Sequence, residues 1–301
     1  MIRSQRTIKN SILCEGIGLH TGKAVKMTLL PAPTDTGVVF IRTDLDHAEV
    51  RAMASNITAT GYATSLSRND ASVKTVEHLL AAFAGLNIDN VYVELDAEEV
   101  PIMDGSARPF VKLIADAGIQ TQDMLQPVLK IIKPIFVREG NKQVAIWPAE
   151  TTSISCFIDF DHPLLKEQHL QYQPSAESFL REVSDARTFG FLSDVKTLQS
   201  HGLARGASLD NAVALGEDSV LNKEGLRYRD EFVRHKILDL IGDLSLVGMP
   251  VIGHIVAHKS GHGLNAQMVA KLLNSPQHWV LVGAAGDEEA RQEMHLQHAS
   301  L

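Results

Sequence analysis

The stretch Val233-Arg234-His235-Lys236-Ile237-Leu238-Asp239 sets an imidazole and a carboxylate four residues apart. In a helix that spacing puts both on one face. Around it Phe232, Val233, Ile237, Leu240, Ile241 and Leu244 recur at helical spacing, so the segment reads as a helix with one apolar stripe. A second imidazole, His78, follows Glu77 in Thr75-Val76-Glu77-His78-Leu79-Leu80, inside a stripe of Val76, Leu79, Leu80, Phe83 and Leu86. Two histidines and one aspartate make a three-ligand set of the kind that leaves zinc a position open for water. A glutamate beside one ligand is a candidate base for that water. The pattern points to metal-dependent hydrolysis.

Adding 157 to His78 gives His235, and the same offset sends Gly85 to Gly242 and Asp104 to Gly261, next to His262. In the first part the pattern predicts strands over 25–30, 38–41 and 91–95, a turn over 101–106 and a helix over 109–117. In the second it predicts a strand over 251–257, a turn over 261–263 and a helix over 266–273. The expected fold is α+β: two duplicated sheet-plus-helices halves, helices packed face to face, each with an insert and the site between them. His78, Ala82 and Gly85 share one helical face, and His235, Asp239 and Gly242 share the other, with glycines that let two helix backbones approach. The polar residues 121–127, before a strand over 128–132, read as the boundary, giving halves of 1–121 and 127–301. An insert over about 190–212 carries Phe191, Leu192, Val195 and Leu198 at helical spacing. From the residues alone it is a surface helix packed on the core, with an apolar ligand pocket as the alternative. The charged tail 287–301 reads as a further helix.

At 301 residues, 45% hydrophobic and 21% charged, the composition is that of a soluble globular chain. A net charge of −8 argues against nucleic acid as a partner, which needs clustered Lys and Arg, but leaves room for an anionic small substrate. Cys14 and Cys156 form no metal spacing and no disulfide framework, as in a reducing compartment. The polar N-terminus lacks a signal-peptide core, and no transmembrane run is present. The expectation is a cytoplasmic protein with at most transient contact with a membrane surface.

A lone His/Asp pair at this spacing is commonly a solvated helix face. The Glu77-His78 pair at the equivalent point of the repeat favours the metal reading instead. Asp243, one turn beyond Asp239, is placed to orient a neighbouring histidine. His262 lies between glycines in Lys259-Ser260-Gly261-His262-Gly263, where close approach is allowed, although most of the 13 histidines must be ordinary. Gly16-Ile17-Gly18-Leu19-His20-Thr21-Gly22 lacks the ending of a phosphate loop and reads as a hairpin turn that brings His20 near the site.

Together these segments resemble the UDP-3-O-acyl-N-acetylglucosamine deacetylase family of bacterial lipid A synthesis. The resemblance is carried by Gly16-Ile17-Gly18-Leu19-His20-Thr21-Gly22, Thr75-Val76-Glu77-His78-Leu79, Ile102-Met103-Asp104-Gly105-Ser106 and Ala186-Arg187-Thr188-Phe189-Gly190. It continues through residues 230–239, Gly242-Asp243-Leu244 and Lys259-Ser260-Gly261-His262, and so runs over nearly the whole chain. It implies a Zn²⁺ amidase, with Fe²⁺ as the other candidate metal. The reaction would remove the N-acetyl group from UDP-3-O-(3-hydroxyacyl)-N-acetylglucosamine and release acetate. By resemblance His78, His235 and Asp239 are the metal ligands, Glu77 the base, His262 the catalytic histidine and Asp243 its carboxylate partner. Thr188 matches the hydroxyl that helps hold the oxyanion, and Lys236, Phe189, Phe160 and His20 match substrate contacts. The insert with Phe191, Leu192, Val195 and Leu198 matches an apolar passage for the acyl chain, which reverses the preference for a bland surface helix. A monomer is expected. Two other readings stay open: a metal-dependent deacylase of another sugar nucleotide, and a non-catalytic RNA-binding module, since duplicated halves of this kind also resemble ribosomal domains. Net acidity and the His/His/Asp set count against the second.

Overall fold

The computed structural model describes residues 2–283, so the helix expected over 287–301 lies outside the described residues. The architecture is α+β, with two five-stranded sheets and helices between and beside them. The first sheet comprises Ile12–Ile17 (β1), Ala24–Pro31 (β2), Val38–Arg42 (β3), Ala48–Arg51 (β4) and Val91–Leu95 (β5), in the order β1-β2-β5-β3-β4. The second comprises Ile135–Glu139 (β6), Lys142–Trp147 (β7), Ser153–Ile158 (β8), Gln168–Tyr172 (β9) and His254–His258 (β10), in the order β6-β7-β10-β8-β9. The two orders are the same when strands are counted within each half. In both, the third and fifth strands run parallel and every other neighbour runs antiparallel.

Period-2 alternation explains the strands. In β2 Val25, Met27 and Leu29 are buried while Ala24, Lys26 and Thr28 face outward or lie half-buried. Glu77–Leu86 (α1) is apolar nearly all round and is buried except at Ala84 and Gly85, near its C-terminal end. It ends at Asn87, whose left-handed backbone (φ 57°) closes the last turn. Arg108–Ala117 (α2) starts with Pro109 in its first turn, where the missing N–H costs nothing. Leu192–Ser200 (α3), Glu231–Leu244 (α4) and His262–Leu273 (α5) complete the main helices. One continuous core runs from Met27, Leu29 and Val93 of the first sheet through Leu79, Leu80 and Phe83 of α1. It continues into Leu238 and Leu240 of α4 and Val144, Ile146 and Ile255 of the second sheet.

Helices α1 and α4 pack against each other, and a glycine makes this possible. A Cβ on Gly242 would lie 2.1 Å from the Glu77 carbonyl oxygen, so α4 can meet the start of α1 only without a side chain there. Gly85 serves a different neighbour: its missing Cβ makes room for the Phe179 ring, not for the partner helix. Gly242→Ala is expected to destabilise the protein by about 1–3 kcal/mol, as overpacking does. Activity should fall further than the lost melting temperature explains, because the displaced backbone is that of Glu77. Thermal melts beside turnover on the same sample check this.

Three expectations need correction. The strand expected over 251–257 is two strands in different sheets: Val251–Ile252 pairs with Val128–Ile131, while β10 starts at His254. Gly253 makes the switch where a Cβ would clash with Ile146 at 2.8 Å. The polar residues 121–127, read as the boundary, are mostly part of a strand. Ile119–Gln126 is a strand paired antiparallel with Arg3–Ile8, and it lacks alternation because most of its side chains are exposed. His262 is not in a turn but is the first residue of α5, whose preceding Gly261 has no capping side chain to announce the start. Phe191 lies in the strand Phe189–Phe191, parallel to Val213–Leu215, so the helical stripe begins only at Leu192.

Candidate metal and catalytic centre

His78 is the second residue of α1, and α4 carries His235 and Asp239 one turn apart. The close packing at Gly242 therefore brings all three side chains together, each buried. Asp239 Oδ1 lies 3.5 Å from His78 Nε2 and 3.2 Å from His235 Nε2. Two donors on one tetrahedral zinc ion stand about 3.3 Å apart, given bond lengths near 2.0 Å. The carboxylate-to-imidazole spacings thus fit such an ion, and the donor types suit it. His235 Nδ1 lies 3.0 Å from the Ala186 carbonyl, which can only accept, so Nδ1 carries the proton and Nε2 offers its lone pair. His78 Nδ1 is buried without a partner among the described residues.

Electrostatics keep this set ready for a cation. Burial lowers the His235 pKa against the pull of Asp239, which favours the neutral imidazole that a metal requires. Burial works to raise the Asp239 carboxyl, but His235 and the Lys236 ammonium overcome it, so it stays ionised well below the usual range. Lys236 Nζ donates to Asp239 Oδ2 at 2.7 Å; burial works against its charge, and Asp239 restores it and raises its pKa.

The acid–base pair flanks this set. Glu77 is 3% exposed, and burial, with Asp243 and Asp239 adding to it against His262, pushes its carboxyl up to about 7. Its Oε1 stands 3.7 Å from His262 Nε2. The other ring nitrogen of His262, Nδ1, donates to Asp243 Oδ2 at 2.8 Å. Burial alone would lower the His262 pKa; the Asp243 and Glu77 carboxylates reverse that and raise it to about 10.

Sequence reasoning missed several residues. The Thr64 backbone N–H donates to Glu77 Oε2 at 3.0 Å, while its hydroxyl donates to Asp243 Oδ1 at 2.5 Å. One buried threonine thus touches both the candidate base and the partner of the candidate acid. Asn265 donates to Asp243 Oδ2 at 2.8 Å, and its position three residues after His262 on α5 was a usable signal. Arg187 and Glu231, paired at 2.9 Å and both buried, brace the segment whose Ala186 carbonyl holds His235. For Thr64 no signal existed in the sequence. Thr64→Val keeps the backbone bond and shape but loses a hydrogen bond to a charged group, worth about 1.5–3 kcal/mol. Turnover is expected to fall roughly tenfold or more, with Glu77 still held, and steady-state kinetics beside a melt would show it.

Phe189, Phe160 and Phe191 form an aromatic cluster with ring centroids 5.8 and 6.2 Å apart, with Phe160 in the middle. Phe189 meets the His235 ring at 6.2 Å, and Lys236 Nζ lies 5.5 Å above Phe189. His20 is buried in the turn between β1 and β2, as expected, with Nε2 unpartnered among the described residues. Thr188 is tied by its backbone, its N–H donating to the Gly105 carbonyl at 2.8 Å and its own carbonyl accepting from Val213 at 2.8 Å. Leu192 is 54% exposed, and Val195 and Leu198 are half-buried on α3, a helix with no buried residue. The helix is therefore not packed into the core.

Comparison with known proteins agrees with this geometry. Residues 5–274 match the family model described as UDP-3-O-acyl N-acetylglycosamine deacetylase. The UDP-3-O-acyl-N-acetylglucosamine deacetylase of Myxococcus xanthus is 50% identical over 282 residues, covering 93% of this chain and 90% of that one. The enzyme of the same name from Syntrophus aciditrophicus is 46% identical over 287 residues, covering 95% and 91%. That from Pseudomonas entomophila is 50% identical over 285 residues, covering 94% of each. With buried His78, His235 and Asp239 beside Glu77 and His262, and a match over most of its length, this chain belongs to the UDP-3-O-acyl N-acetylglycosamine deacetylase family.

Proposed function

We propose that this chain hydrolyses the acetamide of UDP-3-O-(3-hydroxyacyl)-N-acetylglucosamine, releasing acetate, as a zinc-dependent step of lipid A biosynthesis. The observation that carries the reading is the buried convergence of His78, His235 and Asp239 next to a carboxyl and an imidazole with displaced pKa values. It stands in a chain about half identical to proteins named for that activity. We assign one metal ion per chain to His78, His235 and Asp239, with Zn²⁺ preferred over Fe²⁺ for two imidazoles and one carboxylate. When bound, the ion polarises the amide carbonyl and acidifies water.

The residues of the chain divide the remaining work. Glu77 takes the proton of the attacking water as the oxygen joins the carbonyl carbon. Its ordinary pKa would make it a weak base; burial raises it towards the operating pH. His262, held cationic by Asp243, presents Nε2–H to the negative oxygen that develops, with the Thr188 hydroxyl as a second donor. The C–N bond then breaks, and the departing nitrogen takes its proton from His262 or from protonated Glu77. Lys236 and the Phe160, Phe189 and Phe191 cluster contact the sugar nucleotide, with Phe160 on the nucleotide side. His20 contacts the substrate as well, and Leu192, Val195 and Leu198 line the acyl passage.

Residues 1–121 and 127–301 are read as two copies of one unit of four strands, helix, strand and helix. The shared strand order and the shared parallel pairing support this. No helix among the described residues is long and apolar enough to cross a membrane. A cytoplasmic monomer that meets its lipid-bearing substrate at a membrane surface is the proposed setting.

Mass spectrometry of products from a panel of acylated UDP-sugars tests the substrate. Loss of 42 mass units from the N-acetylated, 3-O-acylated member is expected of an acetyl group replaced by hydrogen (~42 by chemical formula). Processing of some other member instead would move the assignment to another sugar nucleotide. Metal analysis of the same sample should find zinc; a protein that holds none would sink the zinc assignment. The passage is tested by chain length. Each buried methylene is worth about 0.8 kcal/mol, so kcat/KM should climb steeply with acyl length. Leu198→Gln is expected to flatten that slope while leaving short-chain substrates nearly unaffected. Parallel lines for the two enzymes would return α3 to a plain surface helix.

A further inference from the structure

Glu99 is 1% exposed, and its carboxylate accepts from four donors, none of them charged. Oε1 accepts from the His20 backbone N–H at 2.9 Å and the Thr75 hydroxyl at 2.8 Å. Oε2 accepts from the Thr21 N–H at 2.8 Å and the Thr21 hydroxyl at 2.7 Å. A buried anion without a cation is costly unless its lone pairs are filled, and here donors from two separate segments fill them. Hydroxyls can rotate and either donate or accept, but backbone N–H groups cannot. Two consecutive N–H groups, one on each oxygen, demand two acceptors on one side chain. A carboxylate meets that demand and an amide does not.

Both clamped segments lead to the proposed catalytic centre. Thr75 has φ 58°, a left-handed conformation that a β-branched residue rarely adopts. Two residues later the chain enters α1 at Glu77. Strain of this kind persists only where the surroundings over-determine it, and the Thr75 hydroxyl bond to Glu99 is one such restraint. On the other side, the turn 18–22 carries His20. Its carbonyl accepts from the Arg205 N–H at 3.2 Å, and its Nδ1 accepts from the Ala204 N–H at 3.3 Å. With Nδ1 accepting, the proton of the neutral ring sits on Nε2, the buried atom without a partner. A Cβ on Gly18 would lie 2.3 Å from Glu99 Oε2, so the turn can close on the carboxylate only with glycine there.

We propose that Glu99 is a positioning residue of the deacetylase centre. Through one carboxylate it fixes the His20 turn, on which the end of the insert docks, relative to the strained Thr75 from which the Glu77-His78 helix departs. Glu99 touches no reacting atom; it acts through His20 and Thr75. The proposal rests on the deacetylase reading above.

The experiment is a double-mutant cycle on the zinc-loaded full-length enzyme, reading acetate release. Glu99→Gln is expected to lower kcat by more than tenfold, and the double variant Glu99→Gln/His20→Ala to be no slower than about twofold below the slower single variant. Single-variant factors that multiply in the double would overturn the role, because two groups acting through one connection are not additive. Thr75 gives a second arm that survives misfolding of Glu99→Gln. Thr75→Ser keeps the hydroxyl and is expected within about twofold of wild type in kcat; Thr75→Ala loses it and is expected at least fivefold slower at equal zinc content and melting temperature. Equal kcat for the two Thr75 variants would also overturn the role. If the wild-type enzyme itself releases no acetate, the deacetylase reading falls and the positioning role with it; if it does and the cycle is additive, only the positioning role falls.

Discussion

His78→Ala, His235→Ala and Asp239→Ala are each expected to bind zinc more than about 100-fold more weakly than wild type and to lose nearly all turnover. That factor is what losing a supporting partner of a ligand can cost, and losing a ligand costs more. The three need not behave alike in stability. Asp239 is the anion that holds Lys236 at 2.7 Å, so Asp239→Ala leaves a largely buried ammonium unpaired. Breaking such a pair costs about 3–5 kcal/mol, and this variant should melt well below the two histidine variants. Asp239→Asn keeps an oxygen for Lys236 and should recover much of the stability without recovering the metal. Metal content after dialysis, read beside melting curves, checks both statements. A variant that keeps stoichiometric zinc and normal turnover would remove its residue from the ligand set.

Glu77→Gln is expected to keep its metal and lose about 10²–10⁴-fold in turnover, the usual cost of a missing acid–base group. The pH profile then separates the two titrating groups. Glu77 must be ionised to take a proton, so activity rises with pH through its pKa. Burial sets that near 7, and a divalent cation alongside, by favouring the carboxylate, brings the limb lower. His262 must be protonated to donate, so activity falls as pH rises through its pKa, which Asp243 and Glu77 hold up to about 10 against burial and which the same cation also lowers. The result is a bell with its plateau on the alkaline side of neutrality. In His262→Gln the basic limb should disappear; a basic limb that stays in place, with activity still measurable, would assign the proton donor elsewhere. In Thr64→Val the basic limb is expected to move to higher pH, since the Asp243 carboxylate loses a donor that competes with His262 for it.

Much of the molecule was legible in its residue order because the relevant signals are local. Periodicity of 2 in β2 and of 3.6 in α1 and α4 follows from which side of each element meets the core. The candidate ligand set could be read because His235 and Asp239 share one helical face, and His78 stands 157 residues earlier beside Glu77. Gly242 could be read as a close-approach residue, and it is one, although its partner is the Glu77 carbonyl and not a facing glycine. The break at Gly253 and the strand over Ile119–Gln126 could not be read the same way. Both depend on which distant strand offers hydrogen bonds, and that choice leaves no periodic trace in the segment itself.

The residue order by itself determined the α+β class, the helices that carry His78, His235 and Asp239, and which side chains could hold a cation. Tertiary structure alone decided how those side chains are tuned and held. Thr64 meets Asp243 across 179 residues of chain, the Ala186 carbonyl sets the proton of His235, and Glu99 joins the turn at His20 to Thr75. Several of these contacts use a backbone group, which every residue possesses. Such a contact has no signature in residue type, and it exists only once folding has brought the segments within about 3 Å of each other.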